Sequence, residues 1–295
     1  MAATTDDITV RTEDGRDLRV SLCGAADGAT VIFHHGWPGS RRMPPGWSES
    51  AEQHGINLVS FDRAGYGHSS RDEGRTIGSV AADTAAIADA VGAERFGVWG
   101  VSGGGPHALA CAALLPGRTV AAALVAGAAP PDLPGLDYTA GMGESSVVEF
   151  PLAAQGIKVY LPYVLRAIAA MYEAEDGIDE GFDAVLSPVD RALMESGRYD
   201  EYFASDRTDS LARGVYGWLD DGIATMGPWG FDLAAIEAPV LLVQGGQDLM
   251  VPEAHARAMA AVIPDATLEF HPEEGHMTLG MSPDRALEWL APQLR

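Results

Sequence analysis

Gly100-Val101-Ser102-Gly103-Gly104 places one serine between glycines two residues to either side. A serine hydroxyl attacks a carbonyl carbon only when a neighbour takes its proton and fixed donors meet the charge that builds on oxygen. The flanking residue types suit that task. A sharp strand-to-helix turn lifts the hydroxyl above a sheet, and small neighbours relieve the crowding of such a turn. The helix that follows aims its free amides and the positive end of its dipole at the same place. Random order in a chain this rich in Gly and Ser would give about 0.2 matches to so short a pattern, so its setting decides. The motif follows the apolar run Phe96-Gly97-Val98-Trp99 and opens a helical run that reaches Leu115, just before Pro116. A phosphate cradle is a poorer reading, because G-x-x-G-G-G fits neither the dinucleotide fingerprint nor the P-loop.

A nucleophilic serine needs a base, and the base needs an orienting acid. His276 lies in Glu274-Gly275-His276-Met277, after the last strand-like run and before the last helical one, so a loop at the carboxyl edge of a sheet is expected to carry it. Asp248 follows the apolar run 240–243 through Gly245-Gly246-Gln247. The order Ser, Asp, His is one of the known chain orders of a triad. Asp132, just past the strand-like run that ends near Ala126, is the rival acid. One oxyanion donor is expected at the Gly103 amide, directly after the nucleophile. The other is expected at the Trp37 amide, in the tight turn His34-His35-Gly36-Trp37-Pro38-Gly39. His34, His54, His68, His255 and His271 read as strand, loop or surface residues, and His107 as a packing residue of the helix after the serine. No pair of histidines has metal-ligand spacing with a carboxylate, so neither metal nor cofactor is expected.

The elements that must position these groups alternate. Strand-like runs cover 8–10, 18–22, 31–34, 56–61, 96–99 and 120–125, and the interior ones are apolar enough for burial on both faces. Ile77, Val80, Ala81, Thr84, Ile87, Ala88 and Val91 form one helical stripe between them. Alternation of this kind predicts a parallel sheet with helices on both faces, and a hairpin at Glu13-Asp14-Gly15 predicts an antiparallel edge. The pattern stops at Ala129-Pro130-Pro131 and returns with a strand at 239–243, a helix near 253–262, a strand at 267–270 and a helix near 283–294. Residues 131–229 therefore read as a mainly helical insertion over a core built from 1–130 and 230–295. The insertion holds Tyr138, Tyr163, Trp218, Phe150, Phe203 and Met171 among its large side chains. Some of these are expected to line a mostly apolar pocket.

A formal charge of −23 repels phosphate backbones and anionic lipid, which argues against a nucleic-acid or membrane partner. Neither a basic, apolar leader nor an 18-residue apolar run occurs, so a cytoplasmic protein is expected. Cys23 and Cys111 read as buried free thiols.

Together these motifs resemble the α/β-hydrolase superfamily. Besides the serine turn, His35-Gly36-Trp37-Pro38 follows the third strand. Asp62-Arg63-Ala64-Gly65-Tyr66-Gly67-His68-Ser69 after the fourth resembles the family's D-x-R-G-x-G-x-S loop. Asp248-Leu249-Met250-Val251-Pro252 and Gly275-His276 resemble the segments around the family's acid and histidine. The resemblance implies an eight-stranded, mostly parallel sheet with a cap after the sixth strand. It also implies a serine hydrolase acting on an ester, thioester or lactone of a small to medium, mostly apolar acyl substrate. Ser102 argues against the aspartate-dependent dehalogenases and epoxide hydrolases of this fold. Gly103 stands where proline iminopeptidases carry tryptophan. That aminopeptidase reading rests on Glu173, Glu175, Asp176 and Glu180, which could meet a substrate amine. Carbon–carbon hydrolysis, lyase chemistry or a biosynthetic step on the same triad is the further alternative. A ligand sensor is disfavoured by the intact triad, and a homo-oligomer is left open.

Overall fold

A computed structural model of the chain describes residues 6–174 and 178–295. Its strands are β1 (Asp6–Arg11), β2 (Asp17–Gly24), β3 (Ala29–His34), β4 (Ile56–Phe61), β5 (Phe96–Val101), β6 (Thr119–Val125), β7 (Val240–Gly245) and β8 (Ala266–His271). They form one eight-stranded sheet in the order β1-β2-β4-β3-β5-β6-β7-β8. β1 and β2 run antiparallel to their neighbours, and every pairing from β3–β4 to β7–β8 is parallel. The expected antiparallel edge and parallel body are both present.

Successive residues of the inner strands face opposite sides, and the core divides accordingly. Ile32, Val98, Leu124 and Leu242 face α2 (Val80–Ala90), α3 (Gly105–Leu114) and α10 (Glu253–Ala260). Val31, Phe33, Trp99, Val125 and Val243 face α1 (Trp47–Gln53) and α12 (Asp284–Gln293). Burial on both faces explains why these strands read as continuous apolar runs instead of alternating ones. The helix α1 has no strong sequence signal. Its polar run WSESAEQ is held by Trp47, which stacks on Trp99 with ring centroids 4.4 Å apart and donates its indole N–H to the Met281 carbonyl at 3.0 Å.

Between β6 and β7 the chain leaves the sheet and forms α4 (Glu144–Ala153), α5 (Ile157–Glu173), α6 (Glu180–Asp183), α7 (Pro188–Glu195), α8 (Asp200–Ser210) and α9 (Tyr216–Met226). Ala153, Tyr160, Val164, Trp218 and Leu219 give this segment an apolar cluster of its own. Strand order reverses between β3 and β5, so the loops after those two strands part in opposite directions and leave a crevice at their carboxyl ends. Both cysteines are buried and unpaired. Among the described residues no helix is long and apolar enough to cross a membrane.

Candidate active site

β5 ends at Val101, and Ser102 turns the chain with φ 55°, in the left-handed region. A residue with a Cβ spends roughly 1–2 kcal/mol there, and the surroundings hold it in place. A Cβ on Gly104 would collide with the His34 carbonyl, and one on Gly100 with the Gly104 carbonyl. The glycines of the motif are thus required by close backbone approach. A single turn, Ser102–Gly104, then leads into α3.

His276 and Asp248 meet. His276 Nδ1 lies 2.8 Å from Asp248 Oδ2. A carboxylate only accepts, so Nδ1 carries the proton and Nε2 keeps its lone pair. Asp248 Oδ1 accepts the N–H groups of Met250 at 2.8 Å and Val251 at 2.7 Å, and Oδ2 also takes Gln244 Nε2 at 3.3 Å. Burial alone would lower the basicity of His276; the adjacent Asp248 charge and its hydrogen bond outweigh burial and hold the imidazole above its usual value. Ser102 and His276 both line one cavity of about 580 Å³. Asp132 is exposed, and the carboxylate bonded to the histidine is that of Asp248. His276 also departs from the expected loop: it begins a short helix, α11 (His276–Gly280).

The loop after β3 lies against the serine. A Cβ on Gly36 would stand 3.5 Å from Ser102 Cβ, and one on Gly103 would stand 3.3 Å from the Trp37 ring. Arg63 organises this loop: its Nη1 donates to the His35 carbonyl, and its Nη2 donates to the Gly36 carbonyl at 3.1 Å. His35 Nε2 accepts the Arg63 N–H at 3.2 Å, so its Nδ1 is protonated and gives Gly36 O a second bond at 2.6 Å. Burial first, and the nearby Arg63 charge second, keep His35 neutral. The carbonyl of Gly36 and the N–H of Trp37 belong to one planar trans peptide and point in opposite directions. Anchoring the carbonyl therefore fixes the direction of the candidate oxyanion donor.

The cavity wall is largely apolar. Trp37, Phe150, Phe182, Val185, Phe203 and Met250 contribute to it. Tyr138, Tyr160 and Tyr216 of the inserted segment do not. Glu175 and Asp176 lie outside the described residues, and Glu173 and Glu180 are not in the wall. The wall does hold Glu149 and Asp206, which sequence reasoning passed over. Glu149 Oε1 is held by the Tyr160 hydroxyl and by Trp218 Nε1 at 2.8 Å. Asp206 Oδ1 accepts from Ser40 N at 3.0 Å and Ser40 Oγ at 2.5 Å. Burial raises the Asp206 carboxyl to about 7, despite the Ser40 bonds that lower it. Unfolded, the group ionises near 3.8. Between those values unfolding releases a proton, so this residue makes stability fall as pH rises, and the loss is complete above pH 7. Asp206→Asn removes that loss while an amide oxygen still accepts from Ser40. The variant is expected to gain more melting temperature over wild type at pH 8 than at pH 5 in differential scanning fluorimetry. Equal differences at both pH values would contradict the assignment.

The remaining histidines behave as structural groups. His107 is fully buried and holds the Gly103 carbonyl through Nδ1 at 3.0 Å. His255 is buried and bridges Ala129 N and the Tyr138 carbonyl. Among the described residues no cluster of His, Cys, Asp and Glu is disposed to hold a metal ion.

The model of the alpha/beta hydrolase fold family matches residues 29–281. A non-heme chloroperoxidase of Streptomyces lividans is 30% identical over 286 residues, covering 94% of this chain and 95% of that protein. A bifunctional esterase/perhydrolase of Acinetobacter calcoaceticus is 32% identical over 123 residues, covering 41% of this chain and 45% of that one. Among solved structures, an esterase of Thermogutta terrifontis superposes with a TM-score of 0.68 at 22% identity, covering 99% of this chain and 100% of that one. The sheet order, the strained turn after β5 and the family match along most of its length agree: this chain is an enzyme of the alpha/beta hydrolase fold family.

Proposed function

We propose that the chain is a serine hydrolase that cleaves a carboxylic ester, thioester or lactone through an acyl-Ser102 intermediate. The observation that carries this reading is the Asp248–His276 pair, 2.8 Å apart, at the cavity that Ser102 also lines. His276 Nε2 takes the Ser102 proton as Oγ adds to the acyl carbon, and the amides of Gly103 and Trp37 meet the oxyanion. Collapse expels the alcohol or thiol, which receives the proton from His276. Water then adds with the same base, and Ser102 is regenerated as the acid leaves. Residues 131–229 act as a cap, whose aromatic side chains complete a cavity of about 580 Å³ that suits a small to medium acyl group.

Treatment with a fluorophosphonate, followed by peptide mass mapping, is expected to place the adduct on Ser102. A panel of p-nitrophenyl esters from acetate to octanoate is expected to show turnover with an optimum at short to medium length. A protein that takes no adduct and turns over no ester, thioester or lactone would end this reading.

The same intermediate has a second fate. Hydrogen peroxide in place of water would release a peroxy acid from acyl-Ser102. The names of the chloroperoxidase and esterase/perhydrolase relatives favour this branch. Peroxide added to the ester assay distinguishes it: partition to peroxy acid is read by oxidation of a halide-coupled dye.

A further inference from the structure

α11 is five residues long, and its first amides cannot find acceptors within so short a helix. One carboxylate takes them all. Asp190 of α7 accepts from the backbone N–H of His276 at 3.0 Å, Met277 at 2.8 Å and Thr278 at 3.0 Å. Asp190 is fully buried, and Ser187 Oγ donates to its Oδ2 at 2.8 Å. The space is reserved for it: a Cβ on Gly275 would collide with this carboxylate. Asp190 stands 86 residues before His276, in the segment between β6 and β7.

The other half of the site ends the same way. Arg63, which anchors the Gly36 carbonyl, is itself held by Asp221 of α9, with Nη2 at 2.5 Å and Nε at 3.2 Å. Asp221 also pairs with Arg75 Nη1 at 2.6 Å, and all three side chains are almost fully buried. Burial favours the neutral acid, but the two guanidinium groups together hold Asp221 far below the usual carboxylate range. Asp221 too belongs to the inserted segment.

We propose that the inserted segment is part of the catalytic assembly. Asp190 is the positioning residue of the base and Asp221, through Arg63, that of the oxyanion loop. The inference rests on the acyl-serine reading above. It adds that the core alone lacks the carboxylates that hold the His276 backbone and the Arg63 guanidinium, so seating of the insertion and formation of a competent site are one event.

The test uses the full chain with p-nitrophenyl butyrate, a trifluoromethyl ketone of matching acyl length, and thermal melts to establish folding. Hydrogen bonds to a charged group set the scale, and Asp190→Asn is expected to lower kcat by about 10- to 100-fold with KM little changed. The charged groups acting on His276 are Asp248, from the loop after β7, and Asp190. Loss of the Asp190 charge is therefore expected to move the acid limb of kcat/KM to lower pH, which a purely structural anchor would not do. Asp221→Asn is expected to leave that limb in place and to weaken the ketone in proportion to kcat/KM, the signature of a misaimed oxyanion donor. If either variant fails to fold, Ser187→Ala and Arg63→Lys test the same two points. Lysine cannot hold Asp221 and both carbonyls at once.

A folded Asp190→Asn with wild-type kcat and an unmoved acid limb would overturn the base arm. Undiminished ketone binding in folded Asp221→Asn or Arg63→Lys would overturn the oxyanion arm. Wild-type protein that takes no fluorophosphonate at Ser102 is a separate failure, that of the acyl-serine reading itself.

Discussion

Ser102→Ala is expected to reduce kcat for an activated ester by about 10⁴- to 10⁶-fold and to abolish the fluorophosphonate adduct. The substitution deletes one atom. It keeps the Cβ, so the strained backbone at φ 55° is neither relieved nor worsened, and the fold should survive. Apart from that hydroxyl the cavity wall is unchanged, so KM should stay close to wild type. The proposed oxyanion donors also survive, because they are backbone amides, and the His276–Asp248 pair keeps its 2.8 Å bond. Residual hydrolysis above the water rate is therefore expected, with His276 activating water directly. Stopped-flow traces should lose any burst of p-nitrophenol, since no acyl-enzyme accumulates. A variant within tenfold of wild type would mean that Ser102 is not the nucleophile. The left-handed turn would then need another account.

Much of this architecture is legible in the sequence alone. The interior strands are readable because burial on both faces favours apolar residues, so Val-Leu-Leu-Val at 240–243 stands out as an apolar run and opens β7. The serine turn was readable because close backbone contacts at Gly100 and Gly104 admit only glycine. The segments that follow the carboxyl ends of β3, β5, β7 and β8 carry Trp37, Ser102 and Gly103, Asp248 and His276, and strand counting locates each. The supporting groups were hidden for a physical reason. Asp190 sits in Ser187-Pro188-Val189-Asp190, and that sequence reads as an ordinary helix start. Ser187 does cap α7 by accepting the Asp190 N–H at 3.3 Å. Nothing local says that the Asp190 carboxylate also serves a helix 86 residues away. Arg63 stands out in the sequence as part of a motif, but its partner Asp221 lies 158 residues on, in an unremarkable helix. Gln244 is the last apolar-flanked residue of β7, and only the turn at Asp248 reveals why a glutamine is buried there. Glu149 and Asp206 escape a sequence reading because a carboxylate on a helix looks like part of a solvated face until packing shows which way it points.

The second large effect is expected from Asp248→Asn, a drop of about 10⁴-fold in kcat, by the logic of other triads in which the orienting acid becomes an amide. The hydrogen bonds around Asp248 determine how the amide must sit. The Oδ1 position faces two N–H donors, Met250 and Val251, so it can be filled only by the carboxamide oxygen. The NH₂ group is left facing His276 Nδ1 and Gln244 Nε2. Against the histidine it becomes a donor, which forces the imidazole proton onto Nε2, the atom that must accept from Ser102. The tautomer is then wrong for catalysis although the geometry is nearly intact. The lost charge also withdraws the chief support of the imidazole's basicity, so any remaining acid limb should fall to lower pH. Against Gln244 the result is two donors face to face. Gln244 cannot simply flip, because its Nε2 also holds the Val251 carbonyl at 2.8 Å. A stability loss of about 1–3 kcal/mol is therefore expected from the buried mismatch, measurable by urea unfolding. Low activity with normal KM, lowered stability and a downshifted acid limb would together identify the orienting acid. Near-normal kcat would instead return Asp132 to consideration and require the chain past β6 to move it towards His276.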